Sequence, residues 1–415
     1  MSSNSIVIVG GGHAGAQLCA SLAELGQGSR IHLVCEEPVL PYQRPPLSKA
    51  FFKKADEAVQ SIRAATWYEQ QGIEVHLGDP VKSIDPEKQT VHLSSGKSLA
   101  YGQLVLATGT RARQLPSLPT NLDNVYTLRT AHDATQLRTS LESVERVTFI
   151  GGGFIGLELA ATLQSLGKQV TVLESQTRLL SRAVSPQLSA HVLGIHQAAG
   201  LDVRLDSQIK GFAFESHRVT HIELASETLA VECVLLGIGA EPEDALARQI
   251  GLRCDHGILV DAQMKTSNPH IWAVGDCSRF PWTPELPSLR LESVQNANDQ
   301  ARTAAQSLMG QTVSYQPMPW FWSEQGSMRL QMVGLMPAQA QTQAVHRPFS
   351  PPTQTSVSDV AAFSLFHYLG ERLLCVESVN APMEHMMARK ILEQGLSPSP
   401  AAVADTASPL KNLLA

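Results

Sequence analysis

The sequence predicts an α/β chain in which a parallel-sheet, nucleotide-binding unit occurs twice and is followed by a smaller α+β domain. Three observations carry this. Ile150-Gly151-Gly152-Gly153-Phe154-Ile155-Gly156-Leu157-Glu158-Leu159-Ala160 reads as the end of a β-branched strand, a G-x-G-x-x-G turn and the start of an Ala/Leu-rich helix. Ile6-Val7-Ile8-Val9-Gly10-Gly11-Gly12-His13-Ala14-Gly15 repeats that order near the N-terminus. Each copy then leads to a second strand ending in an acid, 31–35 before Glu36-Glu37 and 169–173 before Glu174.

In such a turn the first glycine (Gly10, Gly151) makes the tight bend. The second (Gly12, Gly153) lets the backbone approach a pyrophosphate, and the third (Gly15, Gly156) lets helix pack on strand, with the phosphates at a positive helix N-terminus. Phe154 and Ile155 fill the variable positions of the second turn and belong to that expected site. A carboxylate at the end of the second strand accepts ribose hydroxyls and repels a 2′-phosphate. Glu36 is the choice in the first unit, with Glu37 as the alternative. Glu174 in the second unit selects NADH over NADPH, since no arginine follows it immediately. A duplicated Gly-rich turn without a ligand is the competing reading, and it leaves the paired acids unexplained. The fold is therefore two Rossmann-type dinucleotide-binding domains plus a C-terminal α+β domain.

The bulk properties set limits. A chain of 415 residues holds two or three domains. A composition 43% hydrophobic and 17% charged is that of a soluble globular protein, and a net charge of −6 gives no reason to expect nucleic acid or an anionic membrane. No apolar run reaches the ~18 residues a bilayer span needs, and the N-terminus shows no signal pattern, so the expected location is cytoplasmic. The six cysteines, Cys19, Cys35, Cys233, Cys254, Cys277 and Cys375, form no C-x-x-C or near-spaced pair. Neither a zinc site nor a redox disulfide is expected, and no metal ligands are predicted. Cys19 and Cys35 read as packing residues.

Taken in order, strand 6–9 enters the first turn and a helix runs over about 14–25. The prolines of Pro41-Tyr42-Gln43-Arg44-Pro45-Pro46-Leu47-Ser48-Lys49 fix φ, so this is a stiff loop presenting Arg44 and Lys49 at defined places. A lysine so held would stabilise negative charge on a reduced flavin ring; a plain surface turn is the alternative. Trp67-Tyr68 reads as core on a helix. Segments 75–77, 81–84, 90–93 and 98–101 read as hairpin strands. Leu104-Val105-Leu106-Ala107-Thr108-Gly109 is a buried strand whose Thr108-Gly109 end lets backbone come close to a ligand or hands the chain to another domain.

After Tyr126-Thr127-Leu128-Arg129 and a helix near 133–141 comes the second turn, with its helix reaching about Leu166. Strand 233–237 ends in Gly237-Ile238-Gly239-Ala240, echoing the Thr108-Gly109 ending, so the repeat covers both ends of each unit. Ile271-Trp272-Ala273-Val274-Gly275-Asp276-Cys277 is a buried strand delivering Asp276, suited to hold a ribityl hydroxyl. Residues 281–287 are a loop. Glu292-Ser293-Val294 opens a helix to about Leu308, whose N-terminal amides suit an electron-rich flavin edge. From Pro317 the composition changes. Pro319-Trp320-Phe321-Trp322-Ser323-Glu324-Gln325, strands at 330–335, 360–368 and 372–379, and a helix over 383–392 suggest a small antiparallel α+β domain. Residues 396–409, rich in Ser, Pro and Ala, read as a poorly ordered arm.

These motifs together resemble the FAD-dependent NADH:ferredoxin reductases that serve aromatic-ring dioxygenases and bacterial cytochrome monooxygenases, most of all the phenylpropionate and biphenyl dioxygenase kind. The resemblance rests on the doubled glycine turn, Arg44-Pro45-Pro46-Leu47-Ser48-Lys49, Ala107-Thr108-Gly109, Ala273-Val274-Gly275-Asp276-Cys277, Glu292-Ser293-Val294 and Pro319-Trp320-Phe321-Trp322-Ser323. It implies a glutathione-reductase-like architecture with FAD on the first unit and NADH on the second. The FAD-binding domain would be discontinuous, 1–112 and 243–316, with an NAD-binding domain at 113–242 and a C-terminal domain at 317–415 that ends in a flexible tail. By motif matching it implies FAD contacts at Ala14, Glu36, Lys49, Val81, Arg129, Asp276 and Val294. It also implies a Lys49–Glu158 pair and Trp322 beside the flavin and nicotinamide. Arg44, Thr108, Gly109, Glu292 and Gly239 complete the expected nucleotide contacts. Glu324 departs from relatives that commonly carry Asp.

The expected activity is hydride transfer from NADH to FAD, followed by single-electron transfer to a two-iron two-sulfur ferredoxin, of Rieske type, that feeds a terminal oxygenase. A rubredoxin partner and an NADH-dependent redox-sensing flavoprotein are the alternatives. Disulfide reductases need a cysteine pair, and NADH oxidases a reactive cysteine where Leu47-Ser48-Lys49 stands. An acidic ferredoxin calls for a basic patch, with Arg290, Arg302, Arg329, Arg347, Arg389 and Lys390 as candidates.

Overall fold

The computed structural model describes residues 4–54, 57–282, 288–336, 342–349 and 361–414. Most of the expected loop at 281–287, and Val360 at the head of an expected strand, lie outside the described residues. The chain divides into two compact units. One comprises Met1–Arg44, Ala58–Arg111 and Ala240–Pro317, the other Pro45–Glu57, Ala112–Gly239 and Met318–Ala415. The 45–57 loop, expected with the FAD-binding domain, belongs to the second unit, as do the segments expected to bind NAD and to form the C-terminal domain.

The first unit is built on a five-stranded sheet in the order Ile271–Ala273, Gln103–Leu106, Ile6–Val9, Ile31–Val34 and Glu74–His76. All neighbours pair in parallel. The central strand is a continuous Ile-Val-Ile-Val run with every residue buried, as a parallel strand covered on both faces requires. Helices His13–Glu24 and Val294–Leu308 pack beside one another through alanine and leucine side chains. Tyr68 is buried and Trp67 packs on the same core, as expected for a structural pair.

One expected hairpin strand is corrected. Segment Glu74–His76 joins the parallel sheet as its edge, while only Val81–Asp85, Thr90–Leu93 and Ser98–Ala100 form the antiparallel sheet. The reason is the intervening helix Ala65–Gln70, which carries the chain back across the sheet and makes a parallel crossover.

The second unit repeats the plan. Its parallel sheet has the order Asp202–Arg204, Gln169–Leu173, Arg146–Ile150, Cys233–Leu236 and Val125–Tyr126. The strand that enters the glycine turn is again central. The C-terminal part of this unit is a five-stranded antiparallel sheet, Trp320–Gln325, Met328–Gly334, Arg372–Val379, Phe363–Leu369 and Gln343–Pro348, packed against helix Pro382–Glu393.

Residues 396–409 are not the loose arm their composition suggests. They include helix Pro400–Ala404, capped by Ser399, and Val403 and Leu410 are buried. The cause is Arg347. The residue is 3% exposed, and its guanidinium pairs with Glu384 at 2.9 Å and donates to the carbonyl oxygens of Val403, Asp405 and Ser408 at 2.7–2.9 Å. Arg347 therefore cannot dock a partner. Replacing Arg347 with alanine strands Glu384 and three carbonyls. The expected loss is about 3–5 kcal/mol in denaturant unfolding of the C-terminal part, with earlier proteolysis after residue 395, and an unchanged unfolding curve would contradict this role.

Candidate active site

In the first unit the glycine turn meets the geometric demands of a dinucleotide. Gly10 has φ +121°, and a Cβ there would lie 2.2 Å from the Ala107 oxygen. A Cβ on Gly15 would lie 2.0 Å from the Gly10 oxygen. The first and third positions are thus closed by backbone. Gly12 faces open space with no atom within 4 Å of a Cβ, which leaves the approach that a pyrophosphate needs. The cradle fits the group the motif implies.

The two acids after the second strand differ in their neighbours. Glu37 accepts from Tyr42 Oη and from Arg44, both at 2.8 Å, so its carboxylate and Arg44 are committed to each other. Glu36 is exposed and has no hydrogen-bond partner among the described residues.

Asp276 follows Gly275, whose φ is +80° and whose Cβ position would lie 3.0 Å from Ala14 Cβ, so this turn packs on the first glycine turn. The Gly275 amide is held by Gln300 Oε1 at 2.6 Å. Val294 opens its helix behind the Ser293 cap, and Glu292 pairs with Arg290 at 2.7 Å. Thr108 Oγ1 donates to the Glu243 carbonyl at 2.6 Å, and the Gly109 carbonyl accepts from the Glu243 amide at 2.9 Å. That end of the strand is tied to the returning chain. Val81 starts the antiparallel sheet.

The second unit contains the equivalent turn. Gly151 has φ +103°, and its Cβ would lie 2.6 Å from the Gly237 oxygen; a Cβ on Gly156 would lie 3.2 Å from the Gly151 oxygen. Gly153 meets only the Gly237 oxygen, at 3.5 Å, so this turn is also open at its second position. Gly239 has φ +103° beside it. Phe154 meets Phe321 edge-on at 5.0 Å, and Ile155 leaves its side chain 49% exposed at the mouth of the turn. Glu174 accepts from the Gly152 amide at 2.7 Å and the Gln176 amide at 2.8 Å, which sets its carboxylate under the turn. Arg178 is bound to the carbonyls of Ser181 and Val184. Arg129 precedes helix Ala131–Ser140, its amide held by Asp133 at 2.9 Å.

Also in the second unit, Lys49, Glu158 and Trp322 come together from segments far apart in sequence. Glu158 is buried one turn into helix Phe154–Ser165. Its Oε2 accepts from Lys49 Nζ at 2.7 Å and Ser48 Oγ at 2.6 Å, and its Oε1 from Ser323 Oγ at 2.8 Å. Thr162, one turn on, donates to the Ser48 carbonyl at 3.0 Å. The carboxylate thereby fixes the proline loop and strand Trp320–Gln325 to one helix. A cleft of about 310 Å³ opens there, lined by Pro45, Pro46, Lys49, Ala50, Lys53, Trp322 and Glu324. Trp322 is stacked on Trp320 at 5.5 Å, which orients its ring. Sequence reading gave Ser48 and Ser323 no role. Each is a serine inside a quoted motif, and only the fold shows that both donate to one carboxylate.

The cysteines take no part. All six are unpaired, and five are buried. Burial pushes the Cys35 and Cys233 thiols up to about 12, far from a reactive thiolate, and raises those of Cys19, Cys277 and Cys375 as well.

Comparison with known proteins places this geometry. The model of the pyridine nucleotide-disulphide oxidoreductase family matches residues 4–301, and that of the reductase C-terminal domain residues 320–414. Rhodocoxin reductase of Rhodococcus erythropolis is 41% identical over 99% of this chain and 94% of its own length. The 3-phenylpropionate/cinnamic acid dioxygenase ferredoxin–NAD(+) reductase component of Photorhabdus laumondii is 38% identical over 82% of this chain and 86% of its own length. The crystal structure of the ferredoxin reductase for the CYP199A2 system of Rhodopseudomonas palustris is 39% identical, with a TM-score of 0.91 over 99% of this chain and all of that one. This chain therefore belongs to the pyridine nucleotide-disulphide oxidoreductase family, in its ferredoxin reductase group, and is an oxidoreductase that uses FAD and NAD(P)H.

Proposed function

We propose that the protein takes hydride from NADH onto FAD and passes electrons one at a time to a two-iron two-sulfur ferredoxin, of Rieske type, that serves a terminal oxygenase. The observation that carries this is the lysine–glutamate pair standing where thiol-dependent relatives of the fold need a cysteine. With every cysteine unpaired and five buried, electrons leave without a thiol relay. The similarity to reductases named for ferredoxins supports the partner class.

Bound FAD would supply the hydride-accepting and one-electron chemistry. The chain supplies position and charge. The open turn at Gly12 with Ala14, Glu36, Asp276 and Val294 would hold FAD, joined by Arg44, Val81, Thr108, Gly109, Arg129 and Glu292. Gly153, Phe154, Ile155, Glu174 and Gly239 would hold NADH. Glu174 carries the preference for NADH, because its carboxylate is pinned under the turn and Arg178 is spent on backbone carbonyls. Glu158 holds Lys49 in place, so that the ammonium meets developing negative charge without reorganising. Trp322, held by Trp320, walls the same cleft. Arg329 and Lys390 remain as docking cations; Arg290 is tied to Glu292 and to the Asp276 carbonyl, Arg302 to Asp299 at 2.7 Å and Arg389 to Glu393 at 2.6 Å.

The first test is NADH consumption in air by the yellow protein, with and without a two-iron ferredoxin, with a rubredoxin in parallel. Slow oxidation alone and a large ferredoxin-dependent increase are expected. An increase with rubredoxin alone would move the partner, and fast oxidation with neither would make the protein an oxidase. Glu174→Ala is expected to narrow the NADH over NADPH preference in kcat/KM by about tenfold or more, the effect of roughly 1.4 kcal/mol; an unchanged ratio would place the selectivity elsewhere. For the lysine pair, Lys49→Met should slow flavin reduction in stopped flow by ~100-fold, the scale of a lost charge-stabilising donor. Glu158→Gln, which leaves the ammonium without its counter-ion, should cost about 3–5 kcal/mol of stability in addition. Wild-type rates in Lys49→Met would refute the assignment.

A further inference from the structure

Strands Ile31–Val34 and Glu74–His76 pair in parallel with His32 opposite Glu74 and Val34 opposite His76. Residues in register share a face, and so do residues two apart on one strand, so His32, Glu74 and His76 leave the same side of the sheet. His32 Nδ1 lies 3.1 Å from Glu74 Oε2, and His76 Nε2 lies 3.4 Å from Glu74 Oε1. The three donor atoms all lie within 4.8 Å of one another. The two imidazoles stack at 5.8 Å with 23° between their planes, which fixes both rings.

Among the described residues neither of the facing nitrogens has a hydrogen-bond partner, although both atoms are shut off from solvent. The His76 side chain is only 9% exposed. A buried polar atom left without a partner destabilises the fold. Here two such atoms converge on one carboxylate, an arrangement that a shared third party would satisfy.

We propose that His32, Glu74 and His76 form a binding site for a divalent transition-metal ion of the zinc class. Two imidazole nitrogens and a carboxylate are the three protein ligands of an open tetrahedral zinc site, with water in the fourth position. Bonds of about 2.0–2.2 Å in a tetrahedron put neighbouring ligand atoms about 3.3–3.5 Å apart; the His76 spacing of 3.4 Å to one carboxylate oxygen falls in that range, and the His32 spacing of 3.1 Å to the other is slightly shorter. Without a thiolate, the set suits Zn²⁺, Co²⁺ or Ni²⁺ rather than Cu⁺ or an iron–sulfur cluster. Lys97 Nζ now lies 2.8 Å from Glu74 Oε1; its side chain is half exposed and free to swing aside when a metal takes that oxygen.

The ion would staple an edge strand of three residues to its neighbour. That neighbour continues directly into Cys35, whose amide donates to the His76 carbonyl at 2.8 Å, and Glu36. The site thus sits beside the acid assigned above to the ribose, yet shares no residue with it. The expectation of no metal ligands rested on cysteine spacing and did not weigh histidines on neighbouring strands.

The test uses the FAD-bound protein, stripped with EDTA and titrated with Co²⁺, then Zn²⁺. One saturable Co²⁺ per chain is expected, with tetrahedral absorption bands beyond the flavin's own. Zn²⁺ should displace it and raise the melting temperature. His32→Gln, Glu74→Gln and His76→Gln should each weaken uptake by at least about 100-fold, the upper size of a lost outer-shell partner alone. Flavin content and the melting temperature in EDTA should match the wild type for Glu74→Gln. Should the buried His76→Gln variant not fold, the half-buried His32 and exposed Glu74 variants decide. No stoichiometric uptake by the wild type, or equal uptake by His32→Gln and Glu74→Gln, would overturn the site.

Discussion

A single buried carboxylate organises the candidate site of the second unit. Glu158 receives the Lys49 ammonium and the hydroxyls of Ser48 and Ser323, so its two oxygens serve the proline loop and the last sheet at once. A buried charge left short of partners is strongly destabilising. Each donor is therefore tied to the presence of the others, and the loop, the helix and the strand take up one arrangement together. The same helix begins at the second glycine turn, four residues before Glu158. The end that would meet a pyrophosphate and the residue that orients Lys49 are thereby one rigid piece.

The two glycine turns rest on a different constraint, the contact of backbone with backbone. The carbonyl of Ala107 closes on Gly10, and the carbonyl of Gly237 closes on Gly151. In each unit the strand paired beside the central one ends under the glycine turn, which explains why the internal repeat includes strand endings as well as turns. Gly12 and Gly153 are the positions left open in both units. The duplication therefore preserves an opening for a ligand as well as a bend in the chain.

A chain with this architecture can carry electrons through a thiol or past one. Here burial raises the thiols, and a lysine with its counter-ion stands in the loop where a reactive cysteine would be needed. The same preference for committed charges recurs at Arg347, which is spent on the C-terminal helix and its carbonyls rather than on a partner. Charge counted along the sequence overstates what a docking surface has to offer, because long cationic side chains can be drawn inward by backbone acceptors.

The sequence alone determined the two nucleotide units, the acids that end their second strands, the lysine loop and the small C-terminal domain. These are local signals: a strand, a turn and a helix lie within some 15 residues, and the steric demands on glycine act within that span. Tertiary structure decided what depends on partners distant in the chain. It brought Ser48 and Ser323, far apart in the chain, onto the one carboxylate of Glu158. It made Glu74–His76 a parallel edge rather than a hairpin strand, and so set two histidines and a carboxylate on one face. It ordered residues 396–409 around a buried arginine. Each of these outcomes turns on a hydrogen bond or an ion pair between segments that sequence spacing does not connect. Their energies are comparable to the local preferences they override, so they become legible only when the chain is folded.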